Sequence, residues 1–406
     1  MDRAAAAASA DDGKILAGTP EFRKINIAVF SCGFSIFAIL YCPQPVLPQL
    51  VVEFGISPAT SSLAVSITAI VMAIAMLFAS SLSEAVGRKA LMVAALVGSS
   101  ILTLALWVAP GWQSILWLRA LTGLALSGAP AVTLAYLGEE MTPKAVAPAV
   151  GLYIGGSALG GMAGRLVAAY LADFGSWRLA MAALGILGLV SAVVFWRALP
   201  PSRHFKPRAL SVGVLTMSML RLLRNPTVLL LVAAGFFLLG SFMTLYNYMG
   251  FRLQAAPFNL GQATAGSIFI VYPIGSFGSA WLGALAARRG RGPVMISTVV
   301  MMLAGLALMT PDSLLSIAAG IILLTFSFFG AHSICSGWAP AATPTDKAQA
   351  SSLYLLLYYL GGGIARSVGG VFWASGGWNG VALFCGAMML GTLAVAIALA
   401  RTERRA

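Results

Sequence analysis

The chain has 406 residues, of which 59% are hydrophobic and only 9% are charged. A soluble domain carries about 25% charged residues, so this composition excludes an ordinary water-soluble protein and favours one that lies in a lipid bilayer. The net charge of +13 is spread over short segments rather than gathered on one surface, so no nucleic-acid partner is expected. The four cysteines lie in apolar stretches without metal-ligand spacing, and neither a metal nor another cofactor is expected.

In chain order, residues 1–24 form a tail rich in Ala and Asp that we expect to be disordered and cytoplasmic. Behind it lie apolar stretches long enough to cross a bilayer, which takes about 20 residues. The twelve stretches are 25–42, 60–82, 90–109, 114–137, 146–171, 178–198, 227–249, 263–287, 294–310, 314–338, 349–374 and 379–400. This pattern predicts an all-α membrane protein with six-helix bundles at 25–199 and 227–400.

The linker 200–226 joins the two sets of six and is rich in arginine. Leu210, Val214 and Met217 fall at helical spacing within it, which predicts a short amphipathic helix on the cytoplasmic membrane surface. A solvated linker without fixed structure is the alternative. Residues 401–406 form a second cytoplasmic tail.

The two halves share an internal repeat. Tyr153 and Arg165 recur 201 residues later as Tyr354 and Arg366, within longer matching runs of leucine and glycine. Duplicated membrane bundles of this kind bind a solute between the halves and rock one half against the other.

Positive charge predicts the orientation. If both termini lie inside, 20 of the 25 Lys and Arg residues fall on the inner side. Two more, Arg178 and Arg252, lie near outer ends, and Arg119, Arg165 and Arg366 lie within apolar stretches. Because basic residues favour the cytoplasmic side, we expect both termini to be cytoplasmic.

A loop motif follows the second stretch. It contains Glu84, Gly87, Arg88 and Lys89, and it resembles the signature of the major facilitator superfamily, with Glu84 in place of the usual Asp. The resemblance implies a fold of twelve helices in two pseudo-symmetric bundles. It also implies that this loop acts as a gate that latches the halves in one state. Alternatively, its basic residues only set the topology.

The same motif returns in the second half of the chain. Arg288, Gly290 and Arg291 match it there, although Ala287 stands at the position of the acid. Both loops need a glycine for a tight turn. The repetition of the motif supports the duplication.

The fourth and fifth stretches resemble those of proton-coupled drug antiporters within the superfamily. Arg119 and Gly123 match the Arg-x-x-x-Gly pattern, which implies that Arg119 faces the central cavity and takes part in proton coupling. The fifth stretch resembles the antiporter glycine signature, but Gly156 stands where Pro is usual. Small residues four apart also allow close helix packing, and that is the role expected of Gly123, Gly156, Gly160 and Gly361.

Intramembrane charges are expensive and mark function. Arg165 and Arg366 are repeat mates, whereas the repeat position of Arg119 is Gly320. All three are candidates for solute binding or coupling. A purely structural role is the alternative for each, and for Arg165 and Arg366 it would be hydrogen bonding at the helix ends. None of the 12 acids lies deep in an apolar stretch, so the cavity should favour neutral or anionic solutes over cations.

Other candidates are polar or aromatic residues within or at the ends of the apolar stretches. His332 could titrate, or pack as a hydrogen-bonded core residue. Glu139, Glu140 and Asp173 are the remaining acids that could couple protons. Cavity-lining candidates are Gln44, Tyr153, Asn247, Tyr354 and Tyr358.

These features predict a secondary active transporter, not an enzyme, that exports a small organic solute in exchange for protons. The segments 41–48 and 247–252 resemble a bacterial inner-membrane subgroup described as drug or arabinose efflux proteins. Uptake or facilitated transport of an organic anion or sugar is a second possibility, and a sensor or scaffold without transport is a third. A twelve-helix bundle holds its pathway within one chain, so we expect a monomer.

Overall fold

A computed structural model describes residues 13–205, 221–343 and 346–403. Within these ranges the regular structure is helical, apart from one isolated bridge between Ile15 and Met141. The surface helix predicted in the linker and the outer parts of both tails lie outside the described residues.

The first half of the chain forms six apolar helices long enough to cross a membrane, and a short helix at Leu47–Phe54 lies between the first two. α4 consists of two pieces that are interrupted at residues 127–129. The helices are α1 Pro20–Tyr41, α2 Pro58–Val86, α3 Arg88–Ala105, α4 Trp112–Leu126 with Pro130–Glu140, α5 Pro143–Phe174 and α6 Trp177–Ala198.

The second half repeats this arrangement with α7 Pro226–Gln254, α8 Gln262–Arg289, α9 Arg291–Leu308 and α10 Leu314–Ala341. The run Lys347–Glu403 contains two helices, α11 and α12, because the backbone is not helical at Gly376 and Gly377. In the described part of the chain, 11 helices are long and apolar enough to cross a membrane. Since the last of them is a pair, the twelve predicted segments are confirmed.

The start of α1 corrects one predicted boundary. The helix begins at Pro20, and the Thr19 hydroxyl caps it by accepting a hydrogen bond from the amide of Phe22 at 3.2 Å. Before the cap, the amide of Ile15 donates to the carbonyl of Glu140 at 2.9 Å, and the Ile15 side chain is buried. The prediction of a disordered tail up to residue 24 was therefore wrong for residues 13–24, which are held by a helix cap and by main-chain pairing.

Glycine allows close helix contact inside each half. A Cβ on Gly156 or Gly160 of α5 would overlap the carbonyl groups of α1, and a Cβ on Gly361 of α11 would overlap the carbonyl of Phe236 in α7. Gly123 of α4 meets Thr68 of α2 in the same way. Lipid offers no hydrophobic drive for helix association, so close backbone approach of this kind supplies the packing energy.

The two halves meet along two helix pairs. α2 lies against α11, where Gly363 and Gly370 leave room for Ile70 and Ala59. α5 lies against α8, where Gly266 leaves room for Ala169. These contacts bring the ends of α1, α5, α7 and α11 together at the interface of the halves, where the buried arginines lie.

Candidate functional site

Hydrogen bonds join the halves on one face of the bundle. We call the face that carries Ile15 and Glu403 the terminal face, and the other the opposite face. On the opposite face, the carboxylate of Asp173 in α5 accepts from the amide of Gln262 in α8 at 3.1 Å, and the Gln262 side chain donates to the carbonyl of Pro45. The structure is therefore closed at the opposite face.

Arg165 of α5 lies fully buried between the halves. Its Nε donates to Oε1 of Gln44 at 2.7 Å, and its Nη1 donates to the carbonyl of Gly161 at 2.7 Å. The guanidinium carbon lies 4.1 Å from the ring centroid of Tyr41 and 4.8 Å from that of Tyr272, which belongs to the other half. Amide, carbonyl and ring faces thus satisfy this cation without a carboxylate.

Arg366, its repeat mate in α11, has a different environment. Its side chain is 1% exposed, and its Nε and Nη1 have no hydrogen-bond partner among the described residues. The hydroxyl of Tyr248 donates to the main-chain carbonyl of Arg366 at 3.1 Å, which fixes the position of the backbone but not the guanidinium.

Unpartnered polar atoms gather in the same region. Asn247 of α7 is 2% exposed, and neither of its amide atoms has a partner in the described chain. It lies one helical turn after Met243, whose sulfur is 3.9 Å from Nη2 of Arg165, so its position faces the same interface. Nε2 of Gln44 and the hydroxyl of Tyr272 are also buried without a partner in the described residues.

The arginine pair has no acidic counterpart in the described chain. The described ion pairs involve Arg88, Arg178, Arg203, Arg252 and His204, and none includes Arg165 or Arg366. Two buried cations beside unfilled hydrogen-bonding groups create a positive potential between the halves. Such a site attracts an oxyanion.

Arg119 occupies a different place from the one its resemblance implied. It is fully buried in the first half, where Nε donates to the carbonyl of Ala64 and Nη1 and Nη2 donate to those of Ile39 and Leu40, at 2.7–3.1 Å. Because α1 ends at Tyr41, these last carbonyls lack helical partners. The expectation that Arg119 faces the cavity is not met, since each guanidinium nitrogen already ties α4 to α1 or α2.

An aromatic wall surrounds His332 in the second half. Nδ1 of His332 lies 3.0 Å from the hydroxyl of Tyr354, and its ring stacks on Tyr358 at 4.3 Å between centroids. The histidine is partly exposed. Tyr153, the predicted cavity tyrosine of the first half, is buried, with 7% of its surface exposed. The structure thus brings His332 together with two of the predicted cavity tyrosines.

The predicted gate loops lie on the terminal face. Gly87 and Gly290 both have φ of 92° and ψ of 145°, a region that favours glycine. In the first loop, Arg88 contacts Glu139 of α4 at 2.8 Å and Glu84 at 3.8 Å. Glu139 and Glu84 both belong to the first half, so these two contacts brace that bundle.

The end of each half is fastened to its gate loop. The ammonium of Lys89 donates to the carbonyl of Leu199 at the end of α6. In the second half, the carboxylate of Glu403 in α12 accepts from the amides of Arg291 and Gly292 at 3.1 and 2.8 Å, while Arg288 is exposed. In the first half a side chain of the loop contacts the end of the last helix, and in the second half a side chain of the last helix contacts the loop, so both halves have a connection between the same two elements.

Two acids proposed for coupling are engaged elsewhere on the terminal face. Glu139 pairs with Arg88, and Glu140 is 1% exposed and accepts from the amides of Arg203 and His204 at 2.7 and 2.9 Å. Glu139 thus ties α4 to the start of α3, and Glu140 ties α4 to the segment after α6, which gives both carboxylates a structural role.

Sequence reasoning missed the aromatic surroundings of the arginines. Tyr41, Tyr272 and Phe269 lie over the guanidinium of Arg165, with centroids at 4.1 to 4.9 Å. They come from three places in the chain, and no spacing rule connects them. The one signal in the sequence was the position of Tyr41, which directly precedes a proline-rich segment at the end of the first apolar stretch.

The two bundles, the interface site and the apolar helices define a membrane transporter of the duplicated six-helix class. The sequence profile of the Major Facilitator Superfamily matches residues 29–365. The chain belongs to this superfamily.

Relatives and solved structures agree with this assignment. The chain is 46% identical to the inner membrane transport protein YnfM of Escherichia coli K12, over 95% of this chain and 92% of that protein. It is 41% identical to the MFS-type transporter YybF of Bacillus subtilis 168, over 95% and 96% of the two chains. The crystal structure of a bacterial homologue of the human lysosomal transporter Spinster has a TM-score of 0.75 at 15% identity, over 95% and 96% of the chains, which supports the fold.

Proposed function

We propose that this transporter moves a small organic anion by alternating access, with the two halves rocking about Arg165 and Arg366. The burial of this pair at the interface, without an ion-pair partner in the described chain, is the observation that supports the proposal. A buried charge costs several kcal/mol unless a partner compensates it. An anionic solute would supply that partner, whereas a cation would be repelled.

The basic residues of the sequence support an orientation with both termini in the cytoplasm of a bacterial cell, since 20 of the 25 fall on the cytoplasmic side when both termini are placed there. The opposite face is then the outer face, and the conformation described above is closed to the outside. The functional unit is the monomer, because the site lies between the halves of one chain.

Proton-coupled export is the mode we assign to this transport, in keeping with the resemblance to the drug and arabinose efflux subgroup. His332 supports the proton coupling. It is partly exposed beside Tyr354 and Tyr358, and it is the histidine of the described membrane-spanning helices. Uptake of an organic anion would use the same site with the opposite direction of flux.

The test is flux in proteoliposomes that hold a pH-sensitive dye. Benzenesulfonate, arabinose and trimethylphenylammonium represent anionic, neutral and cationic solutes, and flux is taken above that of empty liposomes. We expect protein-dependent movement of the anion, lost in the double variant Arg165→Gln/Arg366→Gln and kept in Arg178→Gln, an arginine that pairs with Glu53 on the opposite face. Equal or faster flux of the cation would overturn the assignment.

The same assay separates proton coupling from uniport. We expect anion-dependent proton movement in the parent and anion movement without a proton signal in His332→Gln. Anion flux that never moves protons in the parent would remove the coupling and leave a uniporter or an anion exchanger.

A further inference from the structure

The two arginines of the site are repeat mates with unequal partners. In the first half, Arg165 has Gln44 as its amide partner at 2.7 Å. In the second half, Arg366 and Asn247 have the corresponding residue types, but both lack a hydrogen-bond partner in the described residues. The residue spacings are similar, at 201 for the arginines and 203 for the amides.

We infer that Arg366 and Asn247 form the subsite that binds the oxyanion head group of the solute. Arg165 instead positions an aromatic cage, which consists of the rings of Tyr41, Phe269 and Tyr272. This inference rests on the proposed function, and it assigns the binding of the anionic head group to the second half of the chain. Carboxylate, sulfonate and phosphonate groups share the required chemistry, because each carries negative charge on oxygens that accept charge-assisted hydrogen bonds from a guanidinium.

The donors of the subsite match such a head group. Nε and Nη1 of Arg366 are both unfilled in the described structure, and the amide of Asn247 offers a further donor. Buried polar groups are almost always hydrogen-bonded, and a group left open calls for an explanation. A ligand that supplies the missing acceptors provides one.

Arg165 has less capacity for a solute. Two of its nitrogens donate to Gln44 and Gly161, and its plane lies against Tyr41, 4.1 Å from the ring centroid. To bind an anion in the same way, it would have to exchange an existing bond. Its contacts with Phe269 and Tyr272 of the second half instead hold the cage across the interface.

The unfilled buried groups of Arg366 and Asn247 should lower the stability of the solute-free protein. Replacing an unfilled buried polar group by an apolar one removes a desolvation penalty. Asn247→Leu and Arg366→Leu should therefore raise the melting temperature of the solute-free protein in detergent while they weaken anion binding. A residue with a merely structural role would lower the melting temperature on substitution.

The experiment measures melting temperature against the concentration of benzoate, benzenesulfonate and phenylphosphonate, with uncharged benzamide as the reference solute. In the parent, at least one oxyanion should raise the melting temperature and benzamide should not. Asn247→Leu and Arg366→Lys should weaken this binding by about 10- to 100-fold, the loss of a charge-assisted hydrogen bond. Arg165→Lys should weaken it less, and Arg178→Gln should not change it.

The outcomes distinguish the subsite from the transport proposal. Anion binding that depends on Arg165 but not on Arg366 or Asn247 overturns the subsite and leaves anion transport standing. No stabilisation of the parent by any of the three oxyanions means that the subsite holds water alone, which also overturns it. Binding at Arg366 without protein-dependent anion flux overturns the proposed transport and leaves the subsite.

Discussion

Asp173 near the end of α5 accepts a hydrogen bond from the main-chain amide of Gln262, the first residue of α8, at 3.1 Å. The bond joins the two halves on the opposite face, beside the hydrogen bond from Gln262 to the carbonyl of Pro45. For this face to open, both bonds must break. Asp173 therefore biases the protein towards the closed state.

Asp173→Asn should shift the equilibrium towards opening of the opposite face. A hydrogen bond to a charged group contributes about 1.5–3 kcal/mol, so its weakening changes the populations severalfold. Spin labels on Val52→Cys and Leu315→Cys, at sites 84% and 83% exposed, report the separation of the halves, since the four native cysteines are buried. We expect the longer-distance population to grow in Asp173→Asn.

Asp312→Asn is the matched control for that variant. Asp312 pairs with Arg252 at 2.7 Å on the same face, but both residues belong to the second half. Its substitution should leave the distance distribution unchanged. A distribution that shifts equally in both variants would contradict a latch at Asp173.

Arg119→Gln should destabilise the protein rather than selectively remove proton coupling. The change removes three buried hydrogen bonds from a charged group, to the carbonyls of Ala64, Ile39 and Leu40, each of which contributes about 1.5–3 kcal/mol. The expected result is a lower melting temperature in detergent, with anion-dependent proton movement retained by the folded fraction. Unchanged melting together with lost proton movement would restore the coupling role that the resemblance implied.

Gly160→Ala should lower the melting temperature, because its Cβ would overlap the carbonyl of Phe34 where α5 crosses α1. Overpacking of a close contact costs about 1–3 kcal/mol. Gly155→Ala is the control, since a Cβ there meets no atom within 4 Å. Equal melting temperatures for the two variants would argue against the α1–α5 contact as described.

The sequence predicted most of the fold because lipid imposes length and apolarity on each helix. Periodicity and composition could not place the start of α1, which depends on the Thr19 cap, or the interruption of α4 before Pro130. The internal repeat predicted that Arg165 and Arg366 are structural mates. It could not predict that only one of them is partnered, since that difference arises from side-chain geometry in the folded protein.

Arg119 shows the limit of motif resemblance in the same way. The pattern with Gly123 identified a buried arginine in α4, but the three carbonyls that receive its hydrogen bonds belong to α1 and α2. The carbonyls of Ile39 and Leu40 need donors because α1 ends at Tyr41, and a motif within α4 carries no information about that end.

The measurement that tests the account most directly is counterflow of radiolabelled benzenesulfonate into proteoliposomes preloaded with the unlabelled anion. The parent and Arg178→Gln should accumulate the label transiently, and Arg366→Gln at equal protein content should not, because the site then lacks its unpartnered cation. Accumulation that is the same in Arg366→Gln as in the parent would contradict anion transport through the arginine site.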